Sequence, residues 1–209
     1  MAEVTRSCIS HAQRHRLFCS LLAVGLVVRV IAWLAYQPAL FLSGDSFSYL
    51  TGTLKRPNPI RPLGYPVLLH ALLLVPNLAV VTAVQHLFGL ATGVLVYALL
   101  RRLGAGAVLA SVCAAPVLLD GYMVDIEQYL LAESMFILLV TAALVLLTWR
   151  SRPSVAWCAA AGGLLGAAAL TRSVGLALIA PVLTAPSNAS GLSAMSCPNS
   201  ASFTPPHSG

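Results

Sequence analysis

The sequence predicts an all-α protein, a polytopic transmembrane helix bundle. Hydrophobic residues make up 58% of its 209 residues and charged residues only 9%, whereas soluble domains carry roughly 25% charge. Several apolar runs approach the ~20 residues that a helix needs to cross a bilayer. The twelve basic residues stand mostly singly or in pairs between these runs, as topology signals do. The net charge of +6 therefore does not indicate nucleic-acid binding.

Six apolar runs and one shorter segment make up the predicted bundle, which extends over 17–184 after a cytoplasmic N-terminus at 1–16. The runs cover 17–36, 78–100, 105–119, 129–149, 155–170 and 174–183. The segment 65–75 has about 11 residues, which are too few to cross the membrane, so it predicts an interfacial or re-entrant helix. We therefore expect about five to six membrane segments plus this interfacial one.

Prolines, arginines and glycines mark the ends and contacts of these helices. Pro76 ends the interfacial segment, because proline has no N–H with which to continue a helix. Arg101 and Arg102 close the second run, and Arg150 closes the run at 129–149. The glycines from Gly162 to Gly166 are expected to let the helix at 155–170 pack closely against a neighbour.

The charges also predict an orientation. With the N-terminus inside, seven basic residues lie on the inner side and four on the outer side, which satisfies the positive-inside rule. The inner set is Arg6, Arg14, Arg16, Arg101, Arg102, Arg150 and Arg152, and the outer set is Lys55, Arg56, Arg61 and Arg172. Five of the six acids then lie outside or at the outer interface: Asp45, Asp120, Asp125, Glu127 and Glu133. We expect a multi-pass cell-membrane protein that works at its extracytoplasmic face.

Four stretches, in order, resemble a known family. A first helix containing Arg29 is followed by Gly-Asp-Ser-Phe-Ser-Tyr-Leu at 44–50 and by Arg-Pro-Leu-Gly-Tyr-Pro at 61–66. Later come Tyr-Leu-Leu-Ala-Glu-Ser-Met-Phe at 129–136 and a glycine-rich helix ending in Thr-Arg at 162–172. Together they resemble the N-terminal part of the polytopic glycosyltransferases of the protein O-mannosyltransferase and lipid A aminoarabinose transferase type. The resemblance covers roughly 29–183.

The resemblance implies an inverting glycosyltransferase that takes a sugar from a polyprenyl-phosphate donor to an acceptor outside the cytoplasm. The acceptor would be a lipid, a glycan or a protein, in contact with membrane lipids and without nucleic acid. Asp45 matches the catalytic aspartate of such enzymes. An inverting displacement needs a carboxylate for the acceptor proton and a cation for the departing phosphate.

The residues expected to bind the donor are Tyr49, Arg61, Glu133, Arg172 and Arg29. Tyr49 follows Asp45 by one helical turn and would face the same way. No cofactor is expected, the need for a divalent metal is left open, and no protein metal site is predicted. His70 and His86 lie in apolar runs without neighbouring ligands in the sequence.

Each candidate has a structural alternative. Asp45, between glycine and serines, also suits a helix N-cap. Arg61 and the two basic residues before it also suit lipid headgroup contacts. Glu133 also suits the first turn of a helix, where the helix dipole favours an acid. Arg29 either extends to the interface or lines a polar cavity and pairs with an acid, and the second is favoured because an intramembrane charge is costly.

The end of the chain differs in composition from the rest. Residues 185–209 are rich in Ser, Pro and Asn and contain no Lys, Arg, Asp or Glu, which predicts a disordered tail. Members of the family that the chain resembles continue with further helices, so we expect a truncated enzyme. Two other functions remain: a transporter fragment, with polar residues near the bilayer midplane in broken helices, and a membrane protein without catalysis. The clustering of acids in outer loops favours the glycosyltransferase.

Overall fold

The computed structural model describes residues 2–42, 44–51, 62–150, 153–172 and 174–175, with side chains from residue 15 onward. Within these ranges it has eight helices and no strand. They are α1 (Ala2–Ala35), α2 (Asp45–Thr51), α3 (Gly64–Leu72), α4 (Leu78–Arg102), α5 (Ala107–Leu119), α6 (Gly121–Gln128), α7 (Glu133–Trp149) and α8 (Val155–Thr171). The prediction of an all-α bundle is confirmed.

Each predicted apolar run inside the described ranges is helical. α4, α5 and α8 match the predicted runs to within two residues at each end. α7 begins four residues later than predicted, because residues 129–132 form an extended connection between α6 and α7. The predicted residues Lys55, Arg56 and Arg61, the run from 176 to 183 and the tail at 185–209 lie outside the described residues.

Several helices are suited to cross a membrane. In the described chain, His15–Ala35 of α1 and Leu78–Arg102 of α4 are long and apolar enough to do so. α5 and α6 together make a possible third span, bent by 44° where they join. α7 and α8 are apolar but have only 17 residues each, or about 25 Å of helix. This is the architecture of a membrane bundle.

α1 runs antiparallel to α4, and α7 runs antiparallel to α8, so the bundle has two ends. At one end, Phe18 of α1 stacks on Tyr97, near the end of α4, with ring centroids 3.9 Å apart. At the other end, Nε1 of Trp33 donates to the carbonyl of Ala79, at the start of α4, over 2.8 Å. α5 packs against α1 and α4, and α7 packs against α4 and α8.

The two ends differ in charge and in the helix termini that they carry. We call one the basic end, because Arg101, Arg102 and Arg150 lie there at the ends of α4 and α7. The other is the site end, where α7 begins at Glu133 and α8 ends at Thr171. These three arginines, which were predicted to share the inner side, therefore do share one end. Which end faces the cytoplasm stays a prediction.

Hydrophobic clusters hold both parts of the bundle. The cluster at the site end consists of Ala39, Tyr49, Tyr65, Leu69, Val81, Leu130 and Ala132. A second cluster extends from the basic end and consists of Phe18, Tyr97, Ala110, Ala114 and Leu118. On the outer face of α1, Val27, Ile31 and Leu34 are exposed, as apolar side chains are when their surroundings are lipid tails.

The glycines that permit close packing are not the ones that the sequence indicated. Apart from the adjoining residues and backbone of α8 itself, no heavy atom of the described chain lies within 4 Å of the position that a Cβ would take at Gly162, Gly163 or Gly166. Close approach occurs instead where α3 meets α8, because a Cβ on Gly64 would stand 2.6 Å from the carbonyl oxygen of Leu170. The glycine pattern alone did not reveal which helix faces are in contact.

Candidate functional site

An ion pair joins α7 and α8 at the site end. Glu133 is the first residue of α7, and Arg172 follows the last residue of α8. Nη1 of Arg172 donates to Oε1 of Glu133 over 2.5 Å, and the two side chains are 39% and 22% exposed. A guanidinium has five N–H donors, and this contact uses one. The structure therefore brings together two of the predicted site residues, and this is the one hydrogen bond that the side-chain N–H groups of Arg172 make within the described residues.

The second oxygen of the Glu133 carboxylate is buried. Among the described residues, neither Oε2 of Glu133 nor Oγ of the adjacent Ser134 has a hydrogen-bond partner. Such atoms are rare in proteins, because leaving a buried polar group unpaired costs about 1–3 kcal/mol. Two of them in succession make the start of α7 a place where a hydrogen-bonding group from a ligand or from water is favoured.

Tyr49 packs against Tyr65 beside this ion pair. The two rings meet edge to face with centroids 4.9 Å apart, and the hydroxyl of Tyr65 donates to Oε1 of Gln85 over 2.9 Å. Burial raises the pKa of the Tyr65 phenol, and Tyr49 and the negative charge of Glu133 raise it further. The phenol therefore stays protonated, and Tyr49, Tyr65 and Glu133 lie close enough to interact electrostatically.

The connection between α6 and α7, residues 129–132, also holds α2. Oγ of Ser46 donates to the carbonyl of Leu130 over 3.2 Å and accepts from the backbone N–H of Leu42 over 3.0 Å. Ser46 is fully buried and directly follows Asp45. Because Leu130 comes three residues before Glu133, the helices that begin at Asp45 and at Glu133 are both attached to this connection.

Asp45 opens α2 and is the acid in its first turn. Gly44, just before it, has φ +94°, a left-handed conformation that glycine adopts without strain. Asp45 is half-buried as a residue. The structure thus agrees with an acid near a helix start, where the helix dipole favours it. The catalytic role of Asp45 stays a prediction.

Arg29 lies in a different place, inside the bundle. It is 1% exposed, with Nε 2.7 Å from Oε2 of Glu127 and Nη2 2.8 Å from Oε1. This is the pairing with an acid that the sequence favoured over extension to the interface. Glu127, expected at the outer interface, is fully buried between helices, because α6 packs against α1 and α4.

A break between α5 and α6 explains the other partners of Arg29. The side chain of Asp120 caps α6 by accepting from the N–H of Tyr122 over 3.3 Å. In one continuous helix, the N–H of Tyr122 would instead bond the carbonyl of Leu118, which is therefore left for another donor. Nη1 of Arg29 donates to that carbonyl over 2.6 Å, and its remaining N–H groups contact the carbonyls of Gly25 and Val117. The donor contact predicted for Arg29 stays a prediction, and here its N–H groups are engaged within the bundle.

His86 extends the Arg29–Glu127 pair into a network. Its Nδ1 lies 2.8 Å from Oε2 of Glu127, and its Nε2 lies 2.8 Å from Oε1 of Gln128. Nε2 of Gln128 donates to the carbonyl of Tyr36 over 2.8 Å. The sequence showed no partner near His86 because these partners are about 40 residues away. In the sequence, the one indication that His86 has a polar partner was its position as a polar residue within a predicted membrane span.

Two further predictions concern metals and Arg61. In the part of the chain that the structure describes, no three His, Cys, Asp or Glu side chains come together as metal ligands. Arg61 lies outside that part, so its predicted donor contact is not placed.

Sequence reasoning also missed Ser46 and Gln85 as site residues. Ser46 lay in the motif that contains Asp45, and Gln85 was a polar residue in an apolar run.

Comparison with known proteins agrees with the resemblance that the sequence showed. The sequence profile of the family described as dolichyl-phosphate-mannose-protein mannosyltransferase matches residues 74–186, more than half of the chain. The match includes Glu133 and Arg172, while Arg29, Asp45 and Tyr49 come before it. No curated protein and no solved structure matches the chain significantly. With its apolar helix bundle and this match, the chain belongs to the dolichyl-phosphate-mannose-protein mannosyltransferase family, a family of membrane glycosyltransferases.

Proposed function

We propose that the protein transfers a sugar from a polyprenyl-phosphate donor to an acceptor on the extracytoplasmic side of the membrane. The observation that carries the proposal is the Glu133–Arg172 pair, which lies at the site end and inside the region matched by the family. The description of that family names dolichyl-phosphate mannose as donor and protein as acceptor. We therefore use dolichyl-phosphate mannose as the donor and a peptide as the acceptor in the transfer assays below.

The ion pair is suited to hold a lipid-linked sugar at its phosphate. Arg172 has donors beyond the one used by Glu133, and guanidinium groups bind phosphate oxygens with charge-assisted hydrogen bonds. Glu133 holds this cation at the end of the bundle. Its Oε2, buried and without a partner in the described chain, is suited to accept a hydrogen bond from a sugar hydroxyl. Both residues keep the donor-binding role that the sequence predicted.

The chemical step requires a base on the other face of the sugar. In an inverting displacement, the acceptor oxygen forms a bond to the anomeric carbon while the bond from that carbon to the phosphate oxygen breaks. The phosphate leaves with the electron pair and is stabilised by Arg172. The acceptor proton passes to a carboxylate, and we assign this role to Asp45. Tyr49 and Arg61 retain their predicted contacts with the donor.

Replacing Arg172 with glutamine is expected to raise the KM for dolichyl-phosphate mannose about 10- to 100-fold. A hydrogen bond to a charged group contributes about 1.5–3 kcal/mol, and each 1.4 kcal/mol is about tenfold in affinity. The measurement is mannose transfer to a peptide acceptor in proteoliposomes. Arg150→Gln is the matched control, because Arg150 also follows a helix but lies at the basic end. Equal KM values for the two variants would contradict a phosphate contact at Arg172.

The side of the membrane is tested separately by cysteine labelling. Leu74, in the connection that leads into α4 at the site end, and Leu103 at the basic end are 86% and 64% exposed. On a background without native cysteines, an impermeant thiol reagent added outside the cell is expected to modify Leu74→Cys and to spare Leu103→Cys. Permeabilised cells, in which both positions should react, are the control. Labelling of position 103 alone in intact cells would show the opposite orientation.

A transporter fragment is the alternative, since the α5–α6 break and the buried Arg29 network resemble features of transporters. The groups in that network are paired with one another, however, and the match to a glycosyltransferase family includes Glu127. We therefore assign the network a structural role, as an internal tie between α1, α4 and α6.

A further inference from the structure

We propose that Gln85 of α4 is a positioning residue for sugar transfer: it holds the connection at 129–132 so that Glu133 meets Arg172. This inference rests on the donor-binding role proposed above for the ion pair. Gln85 touches neither Glu133 nor Arg172 through any hydrogen bond of the described chain, and it acts through the backbone that leads into α7.

The side-chain amide of Gln85 makes three hydrogen bonds. It is fully buried. Its Nε2 donates to the carbonyl of Tyr129 over 2.8 Å and to that of Leu131 over 3.4 Å. Its Oε1 accepts from the hydroxyl of Tyr65 over 2.9 Å. One side chain on α4 therefore fixes two peptide groups of the connection and orients itself against α3.

The connection needs such support because its backbone is not helical. Inside a membrane bundle there is little water to satisfy free carbonyl groups, so side chains must do so. The carbonyls of Tyr129 and Leu131 face Gln85, and the carbonyl between them, that of Leu130, faces Ser46. Two backbone hydrogen bonds add to the set, from the N–H of Leu130 to the carbonyl of Leu40 and from the N–H of Leu131 to the carbonyl of Tyr129. Of these partners, Gln85 is the one that binds two carbonyls.

The geometry of the ion pair makes it sensitive to this support. α7 begins at Glu133, two residues after Leu131, and its N-cap residue, Ala132, makes no side-chain cap. The start of α7 is therefore held through the connection and by Arg172. A shift of the connection moves the Glu133 carboxylate away from the Arg172 guanidinium, now 2.5 Å distant. A displacement of ~1 Å at a reacting site costs up to about 10² in rate.

The test compares Gln85→Met with Tyr65→Phe. Both remove the bond between Tyr65 and Gln85, but only Gln85→Met, which roughly conserves volume, also removes the bonds to the connection. We expect Gln85→Met to raise the KM for dolichyl-phosphate mannose roughly 10- to 100-fold, with a smaller change in kcat. Tyr65→Phe is expected to change the KM by less than about threefold.

A double-mutant cycle with Glu133→Gln separates positioning from general destabilisation. If Gln85 acts through Glu133, adding Gln85→Met to Glu133→Gln should lower transfer by less than about twofold more. Equal losses in both backgrounds, or no loss from Gln85→Met alone, would overturn the positioning role. Normal transfer by Glu133→Gln by itself would overturn the proposed donor site, and the positioning role with it, so the two failures are distinguishable.

A second variant keeps the test decisive if Gln85→Met does not fold. Gln85→Asn keeps an amide but is one methylene shorter, so it cannot reach both carbonyls. In the folded variant, hydrogen exchange of the amides at 131–136 should be faster than in the parent protein, while exchange in α8 should be unchanged. Unchanged exchange at 131–136 would show that Gln85 does not hold the connection.

Discussion

Replacing Asp45 with asparagine is expected to lower sugar transfer by roughly 10²–10⁴ while leaving the helix bundle intact. Asp45 is the first residue of α2, so the neutral amide loses only the favourable interaction of the charge with the helix dipole, about 0.3–1 kcal/mol, and Ser46, which attaches α2 to the connection, is unchanged. A neutral amide, however, cannot take the acceptor proton. The variant therefore separates the catalytic role of Asp45 from its role in opening α2.

The measurement is mannose transfer from dolichyl-phosphate mannose, together with the melting temperature in detergent. Asp125→Asn is the matched control, because Asp125 is an exposed acid on α6 that is given no role in the reaction. It should keep normal transfer. If Asp45→Asn transfers sugar as well as Asp125→Asn does, Asp45 serves only the start of α2 and the base must be sought elsewhere.

The second large effect is expected on stability, from Gly89→Ala. A Cβ at position 89 would stand 2.5 Å from Cδ of Glu127 and 2.9 Å from Nη2 of Arg29. Glu127 would have to move, and its two-point contact with Arg29 would be lost. Removing one partner of a buried ion pair costs about 3–5 kcal/mol, which is the upper bound for this displacement and lies well above the ~1 kcal/mol that alanine gains over glycine in a helix.

Thermal melting in detergent checks this prediction, with an expected fall in Tm on the order of 10 °C. Gly162→Ala is the control, since Gly162 is an exposed helix residue with no described atom within 4 Å of its Cβ position. That variant should melt at the parent temperature or slightly above it. Equal Tm values for the two variants would mean that α4 and α6 separate easily and that the Arg29–Glu127 pair contributes little to stability.

Much of the fold was predictable because it follows from local chemistry. The starts of α4 and α8 and the end of α5 fell within two residues of the prediction, since apolar runs bounded by proline or charged residues have few other options in a membrane. The start of α7 was predicted four residues early. Its delay comes from the bridge between Leu40 and Tyr129, which joins residues far apart in the chain.

The site was only partly predictable. Glu133 and Arg172 were singled out from their motifs, but their contact over 2.5 Å depends on α7 and α8 lying antiparallel. Glu127 was placed at the outer interface from the predicted orientation of the chain. It is buried because α6 packs against α1 and α4, where Nε and Nη2 of Arg29 donate to its carboxylate. Gln85 carried no signal of its role, since its partners are backbone carbonyls 44 and 46 residues away.

By itself, the sequence determined that this is a membrane helix bundle, where its helices lie and which of its motifs resemble a glycosyltransferase. Those properties depend on hydrophobicity and on short-range order along the chain. Tertiary structure decided which polar groups meet: Arg29 with Glu127, Glu133 with Arg172, and Gln85 with the connection at 129–132. The physical reason is that a polar group buried in a bundle must find a partner, and only the packing of helices decides which partner is within reach.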